Sequence, residues 1–94
     1  MVLEIVTPEA VLYKGKVSVV TLPGAKGSFQ ILENHAPIVS LLEKGTLSFR
    51  ESEAPTICVQ ERFAQEKGEY TLPIEEGVVE QQENKISQLS KYRI

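Results

Sequence analysis

Pro23-Gly24-Ala25-Lys26-Gly27-Ser28-Phe29-Gln30-Ile31-Leu32-Glu33-Asn34-His35-Ala36-Pro37 holds a strand between two reversals. Glycine takes positive φ without steric penalty and proline presets φ, so Pro23-Gly24 followed by Gly27 predicts a tight turn. Phe29 and Ile31 then alternate with Ser28 and Gln30, the period of an extended chain with one buried face. A second reversal is predicted at 33–37, because proline keeps the residue before it extended and Asn and His tolerate unusual backbone angles. His35, the single histidine of the chain, is thereby placed in a structured loop.

Working outward, residues 2–6 read as a strand stopped by Thr7-Pro8-Glu9, and 11–13 restart an extended segment that turns at Lys14-Gly15. Residues 16–22 form a second long strand. Val17 and Val19 face one way while Val20 and Leu22 face the other, a slip in the period-2 pattern that predicts a β-bulge. Such a bulge bends the strand and lets it serve two sheets. The apolar run 38–42 is predicted to be a buried strand, and Lys44-Gly45 turns the chain again. Leu47 and Phe49 alternate with Thr46, Ser48 and Arg50, as in a half-buried antiparallel strand.

Residues 56–59 make a further strand, and 60–68 are predicted to be a loop or one loose helical turn. Tyr70, Leu72 and Ile74 share a face, but Pro73 lacks a ladder donor and marks an edge strand or a bulge. Val78-Val79 and 86–89 form the last strand pair, joined through Glu83-Asn84. Many short strands, with turn signals roughly every eight to twelve residues and no convincing helix, predict an all-β sandwich or barrel.

A chain of 94 residues is one domain, burying only about 60–65% of its unfolded surface. Its 41% hydrophobic and 24% charged content is ordinary for a globular protein, and the charges are spread along the chain. A net charge of −3 argues against general attraction to nucleic acid or anionic lipid. Cys58 is the single cysteine, so neither an internal disulfide nor a cysteine zinc set is available, and a reducing compartment fits best. No apolar run approaches the roughly 18–20 residues needed to span a bilayer, and no signal sequence opens the chain. The chain reads as soluble, with membrane association only through a partner.

Catalysis would have to begin with His35, the one side chain that titrates near neutrality unaided. Ser28, Ser40 and Glu33 lie near it in sequence, but no nucleophile-elbow context surrounds them. Gly24-Ala25-Lys26-Gly27 lacks the spacing, the Lys-Ser/Thr pair and the following helix of a phosphate-binding loop. Glu75, Glu76, Glu80 and Glu83 have no calcium-loop spacing and read as a solvated surface. Tyr13, Phe29, Phe49, Phe63, Tyr70 and Tyr92 are not interleaved with Arg or Lys, so they read as core and not as a stacking platform. Lys26 in a hairpin-like turn also admits a lipoyl- or biotinyl-carrier reading, although the flanking acidic or methionine residues of such carriers are missing.

Several segments carry a family likeness. Ile5-Val6-Thr7-Pro8-Glu9, Val20-Thr21-Leu22-Pro23-Gly24 with Gly27, Ile31-Leu32, His35-Ala36-Pro37-Ile38-Val39, Leu42 and Gly45-Thr46-Leu47 resemble the epsilon subunit of F-type ATP synthases. The mitochondrial counterpart is called delta. Ile74-Glu75-Glu76-Gly77-Val78-Val79-Glu80 and Asn84-Lys85-Ile86 are similar to the family's last hairpin, so the likeness runs through residues 1–90 and leaves 91–94 as a short tail.

The resemblance implies a two-sheet antiparallel β-sandwich of about ten short strands. It implies a non-catalytic central-stalk rotor subunit, without cofactor or metal, that joins the gamma subunit to the polar loops of the membrane c-ring. The catalytic alpha/beta head is then an indirect partner, and nucleic acid is none. The expected location is peripheral, on the cytoplasmic face of a bacterial plasma membrane, or the matrix or stromal face in an organelle.

Carried over residue by residue, the gamma contacts are expected at Thr7, His35 and Ser40, and the c-ring contacts at Lys26, Gly27 and Ser28. Many relatives have an acidic residue where Ser28 stands, so a hydrogen bond is expected in place of an ion pair. Glu76-Gly77 replaces a common Gly-Gly, and Gln88 replaces an apolar residue of the final strand. Longer relatives continue into a helical pair, and nothing after Leu89 matches it.

Overall fold

A computed structural model describes residues 1–32, 38–82 and 85–89. The predicted reversal at 33–37, with His35, and the predicted 83–84 turn and 91–94 tail lie outside the described residues.

Ten strands follow one another: β1 (Val2–Val6), β2 (Val11–Gly24), β3 (Gly27–Leu32), β4 (Ile38–Leu42), β5 (Gly45–Glu51), β6 (Ile57–Cys58), β7 (Ala64–Glu66), β8 (Glu69–Ile74), β9 (Gly77–Gln82) and β10 (Lys85–Leu89). A 3-10 turn at Gln60–Arg62 precedes β7. The all-β expectation holds. Among the described residues all pairings are antiparallel except that of β1 with β10, which is parallel, Leu3 standing opposite Ile86.

The fold turns on β2. Its first half pairs with β1 on one side, Ile5 opposite Tyr13, and with β6 on the other, Tyr13 opposite Cys58. Its second half pairs with β3, Leu22 opposite Phe29, and with β5, Val20 opposite Phe49. Between Val17 and Val19 the register with β5 shifts, which is the predicted bulge, and Val17, Val20 and Leu22 are all buried on its two sides. One layer therefore runs β4-β9-β10-β1-β2-β6 and the other β3-β2-β5-β8-β7, with β2 common to both. The hydrogen-bonded ladder is continuous through β2, so the bulged strand serves both sheets, as its phase slip predicts.

Alternation supplies the core. Leu3 and Ile5 from one layer meet Val20, Leu22, Ile31, Leu47, Phe49, Leu72 and Ile74 from the other in a single buried cluster. Phe49 anchors its wide end, with ring centroids 4.5 Å from Tyr13, 5.7 Å from Phe63 and 5.4 Å from Tyr70.

Three local expectations are corrected. Lys14-Gly15 does not turn the chain; it lies within the fourteen residues of β2. Gly15 serves close approach instead, since a Cβ there would stand 2.9 Å from Pro55 Cα and 3.0 Å from Tyr13 Oη. Within 60–68 the chain makes β7, a three-residue strand exposed at every position, after its 3-10 turn. The run 38–42 is a strand but not a buried one: Val39 and Leu41 are 69% and 68% exposed. Pro73 falls where β7 has already stopped pairing with β8 at Thr71, so its missing donor faces an open edge as predicted.

Candidate interaction surface

The turn between β2 and β3 is a two-residue loop, Ala25-Lys26, closed by Gly24 opposite Gly27. Gly27 has φ +113°, a conformation that side chains rarely adopt, and nothing lies within 4 Å of where its Cβ would be. Backbone geometry, not crowding, therefore fixes glycine here. Lys26, Gly27 and Ser28 are exposed together at this tip. The turn after β4 abuts its base, where Glu43 N donates to Pro23 O at 2.9 Å.

Beside the tip, β4 turns its outer side to solvent. Val39 and Leu41 alternate outward while Ile38 and Leu42 pair inward, Leu42 opposite buried Gly77. An open groove of about 540 Å³ lies between the hairpin, from Gly24 to Phe29, and Val39, Ser40 and Leu41. A second groove, about 310 Å³, continues past Leu41 and Ala25 to Val78 and Glu76. Leu41 borders both. The structure thus unites a strongly exposed apolar strip with a polar turn at one place on the surface.

Of the predicted contact residues, the structure brings Lys26, Gly27, Ser28 and Ser40 to that one groove. Ser40 itself is half-buried in register with Val79, and its hydroxyl donates to Leu41 O at 3.3 Å. Thr7 does not line that groove: it is 5% exposed, its N–H donates to Ala10 O at 2.8 Å, and its Oγ1 accepts from Ala10 N at 3.1 Å. Its side chain shapes the turn after β1. His35 lies outside the described residues. Val39 and Leu41 are the residues that sequence reasoning passed over, because a run with apolar residues on both faces gives no sign of which members face outward.

Among the described residues no group of three or more His, Cys, Asp or Glu side chains is placed to hold a metal ion. The ion pairs Lys16–Glu53 at 3.6 Å and Arg50–Glu69 at 3.5 Å are solvent-exposed, so each contributes little, about 0–1 kcal/mol.

Comparison with known proteins gives the same architecture. The family described as ATP synthase, Delta/Epsilon chain, beta-sandwich domain, matches residues 1–91. The ATP synthase epsilon chain of Leptospira interrogans is 36% identical over 88 residues, covering 94% of this chain and 58% of the relative. That of Wolinella succinogenes is 43% identical over 65 residues, covering 69% of this chain and 50% of the relative. The chain spans about half the length of these curated relatives. A chain in the cryo-EM structure of the Tetrahymena thermophila mitochondrial ATP synthase central stalk and c-ring shares the fold, with TM-score 0.72 and 17% identity over 98% of this chain and 63% of that one. On the strength of the family match over nearly all its residues, the chain belongs to the delta/epsilon family of ATP synthase subunits and forms that family's β-sandwich domain.

Proposed function

We propose that this chain is a rotor-stalk subunit, a non-catalytic adaptor that joins the gamma subunit to the polar loops of the c-ring and so helps couple ion flow to ATP synthesis. The supporting observation is the combination, on an epsilon-type sandwich, of an exposed apolar strip at Val39 and Leu41 with the polar hairpin tip of Lys26, Gly27 and Ser28 across one groove. An apolar strip of this kind suits a packed protein partner, and a polar glycine turn suits the short polar loops of a membrane ring.

In this reading Val39 and Leu41, with Ser40 and His35, meet gamma, and Thr7 holds the neighbouring turn in shape. Lys26, Gly27 and Ser28 rest on the c-ring. Membrane attachment is peripheral and comes through that ring; no helix among the described residues is long and apolar enough to cross a bilayer. The alpha/beta head is reached only through gamma.

The test is capture from membranes of the source cell with the tagged chain as bait, followed by intact-mass identification. Recovery of gamma with the catalytic head supports the assignment. A folded bait that recovers neither overturns it.

A further inference from the structure

The inward face of β5 ends on a charged residue. Leu47 and Phe49 point into the core, and the next position of that phase is Glu51. Tyr13, whose ring lies 6.4 Å from that of Tyr70, and Cys58, which is paired with Tyr13 across the β6–β2 ladder, are both near enough to feel the Glu51 carboxylate. The Glu51 carboxylate, as a hydrogen-bond acceptor for Tyr70, raises that phenol above its ordinary range, with burial adding to the effect. Burial, then Glu51, pushes the Cys58 thiol up as well, so it stays a neutral thiol with little nucleophilic character.

Two atoms of this cluster remain. Tyr13 Oη and Glu51 Oε1 are both buried, and neither has a hydrogen-bond partner within the protein. Tyr13 is 0% exposed. Burial and the nearby Glu51 hold its phenol protonated, so it offers a donor, whereas an ionised carboxylate oxygen can only accept. Folded proteins satisfy nearly all such buried groups, by protein or by ordered water.

We propose that Tyr13 Oη and Glu51 Oε1 together bind one internal water molecule, which accepts from the phenol and donates to the carboxylate. The Cys58 thiol is the remaining polar group of the cluster for a third bond, in keeping with the roughly three bonds usual for buried water. The ligand must be small, because Gly15 passes so near the phenol oxygen that a Cβ there would stand 3.0 Å from it. It must also both accept and donate, which a cation does not. This water ties β2 to the end of β5 beneath the 52–56 loop, whose backbone is pinned by Ser52 N to Lys16 O at 3.0 Å and Thr56 N to Lys14 O at 2.8 Å.

An atomic-resolution crystal structure of the full chain, with water-to-hydroxyl NOE measurement in solution, tests the site. The expected result is one water within about 2.7–2.8 Å of both oxygens, an NOE from water to the Tyr13 hydroxyl proton, and loss of that water in Tyr13→Phe. A direct phenol–carboxylate hydrogen bond, a peak that refines as a cation, or no peak between the two oxygens overturns the proposal. The unaltered chain decides this even if Tyr13→Phe does not fold.

Discussion

Replacing Phe49 with alanine removes the residue on which the aromatic end of the core depends. Its ring is 1% exposed and stands within 6 Å of three others, those of Tyr13, Tyr70 and Phe63. Core Phe→Ala changes cost about 3–5 kcal/mol, transfer and cavity together. Three lost ring pairs, each contributing about 0.5–1.5 kcal/mol beyond area, place this site at the upper end, about 4–5 kcal/mol. A domain of this length has on the order of 5–14 kcal/mol in total, so the variant should be folded only marginally. With roughly 4–8 °C of melting temperature per kcal/mol, Tm should fall by about 15–40 °C. Thermal melts and urea titration followed by circular dichroism measure this directly, and Phe49→Leu, which keeps most of the volume, should lose much less. A loss below about 2 kcal/mol for Phe49→Ala, with the urea m-value unchanged, would refute the description of this core.

Other expectations concern the surface and the titrating groups. Gly27→Val should strain the hairpin tip by about 1–3 kcal/mol while leaving the sandwich folded, and should impair ATP-driven pumping by the assembled complex more than hydrolysis by the isolated head; unaltered coupling would remove the tip from the mechanism. Val39→Ser with Leu41→Ser should change stability by less than about 1 kcal/mol, since both side chains are already in water, yet reduce gamma capture; undiminished capture would exclude the β4 face. Tyr13, Tyr70 and Cys58 all hold their protons more tightly when folded, so their contribution is complete below the unfolded values, about pH 9–10, and is lost as pH rises toward the folded ones. Urea midpoints should therefore fall above that pH, and fall less steeply in Tyr13→Phe; equal slopes would show that Tyr13 is not the linked group.

Much of the fold was legible because one physical signal, period-2 alternation, operates wherever one strand face is buried. It located β1, β3, β5 and β8 and, through the slip at Val17 to Val20, the bulge that bends β2. It failed where its premise fails. No face of β7 is buried, so Ala64-Gln65-Glu66 carries no pattern, and in 38–42 both faces are apolar although only one is covered. Gly15 misled for a different reason: a glycine needed for the approach of Pro55 looks, in sequence, like a glycine needed for a turn. The parallel pairing of β1 with β10 joins the two ends of the chain, and no local pattern encodes it.

The surface was half legible. The glycine turn at 24–27 announced itself through backbone chemistry, and its place beside Ser40 follows from the pairing of Gly24 with Leu42. That Ser40 is half-buried while Val39 and Leu41 are open depends on the register between β4 and β9, which neither strand specifies alone. Thr7 was expected as a contact through the family resemblance alone, and its hydroxyl accepts from Ala10 N in the turn after β1.

The sharing of β2 between layers has a mechanical meaning. Sliding one layer across the other, or lifting either away, requires β2 to give up ladders on both of its edges together, so the middle of the molecule has no low-energy way to yield. Among the described residues, β6 and β7, with two and three residues, are the shortest strands and the easiest to detach. A load applied at the hairpin tip enters the same fourteen residues of backbone that, past the bulge, carry Tyr13 of the aromatic cluster near the far end, so tip and cluster are joined by one continuous strand.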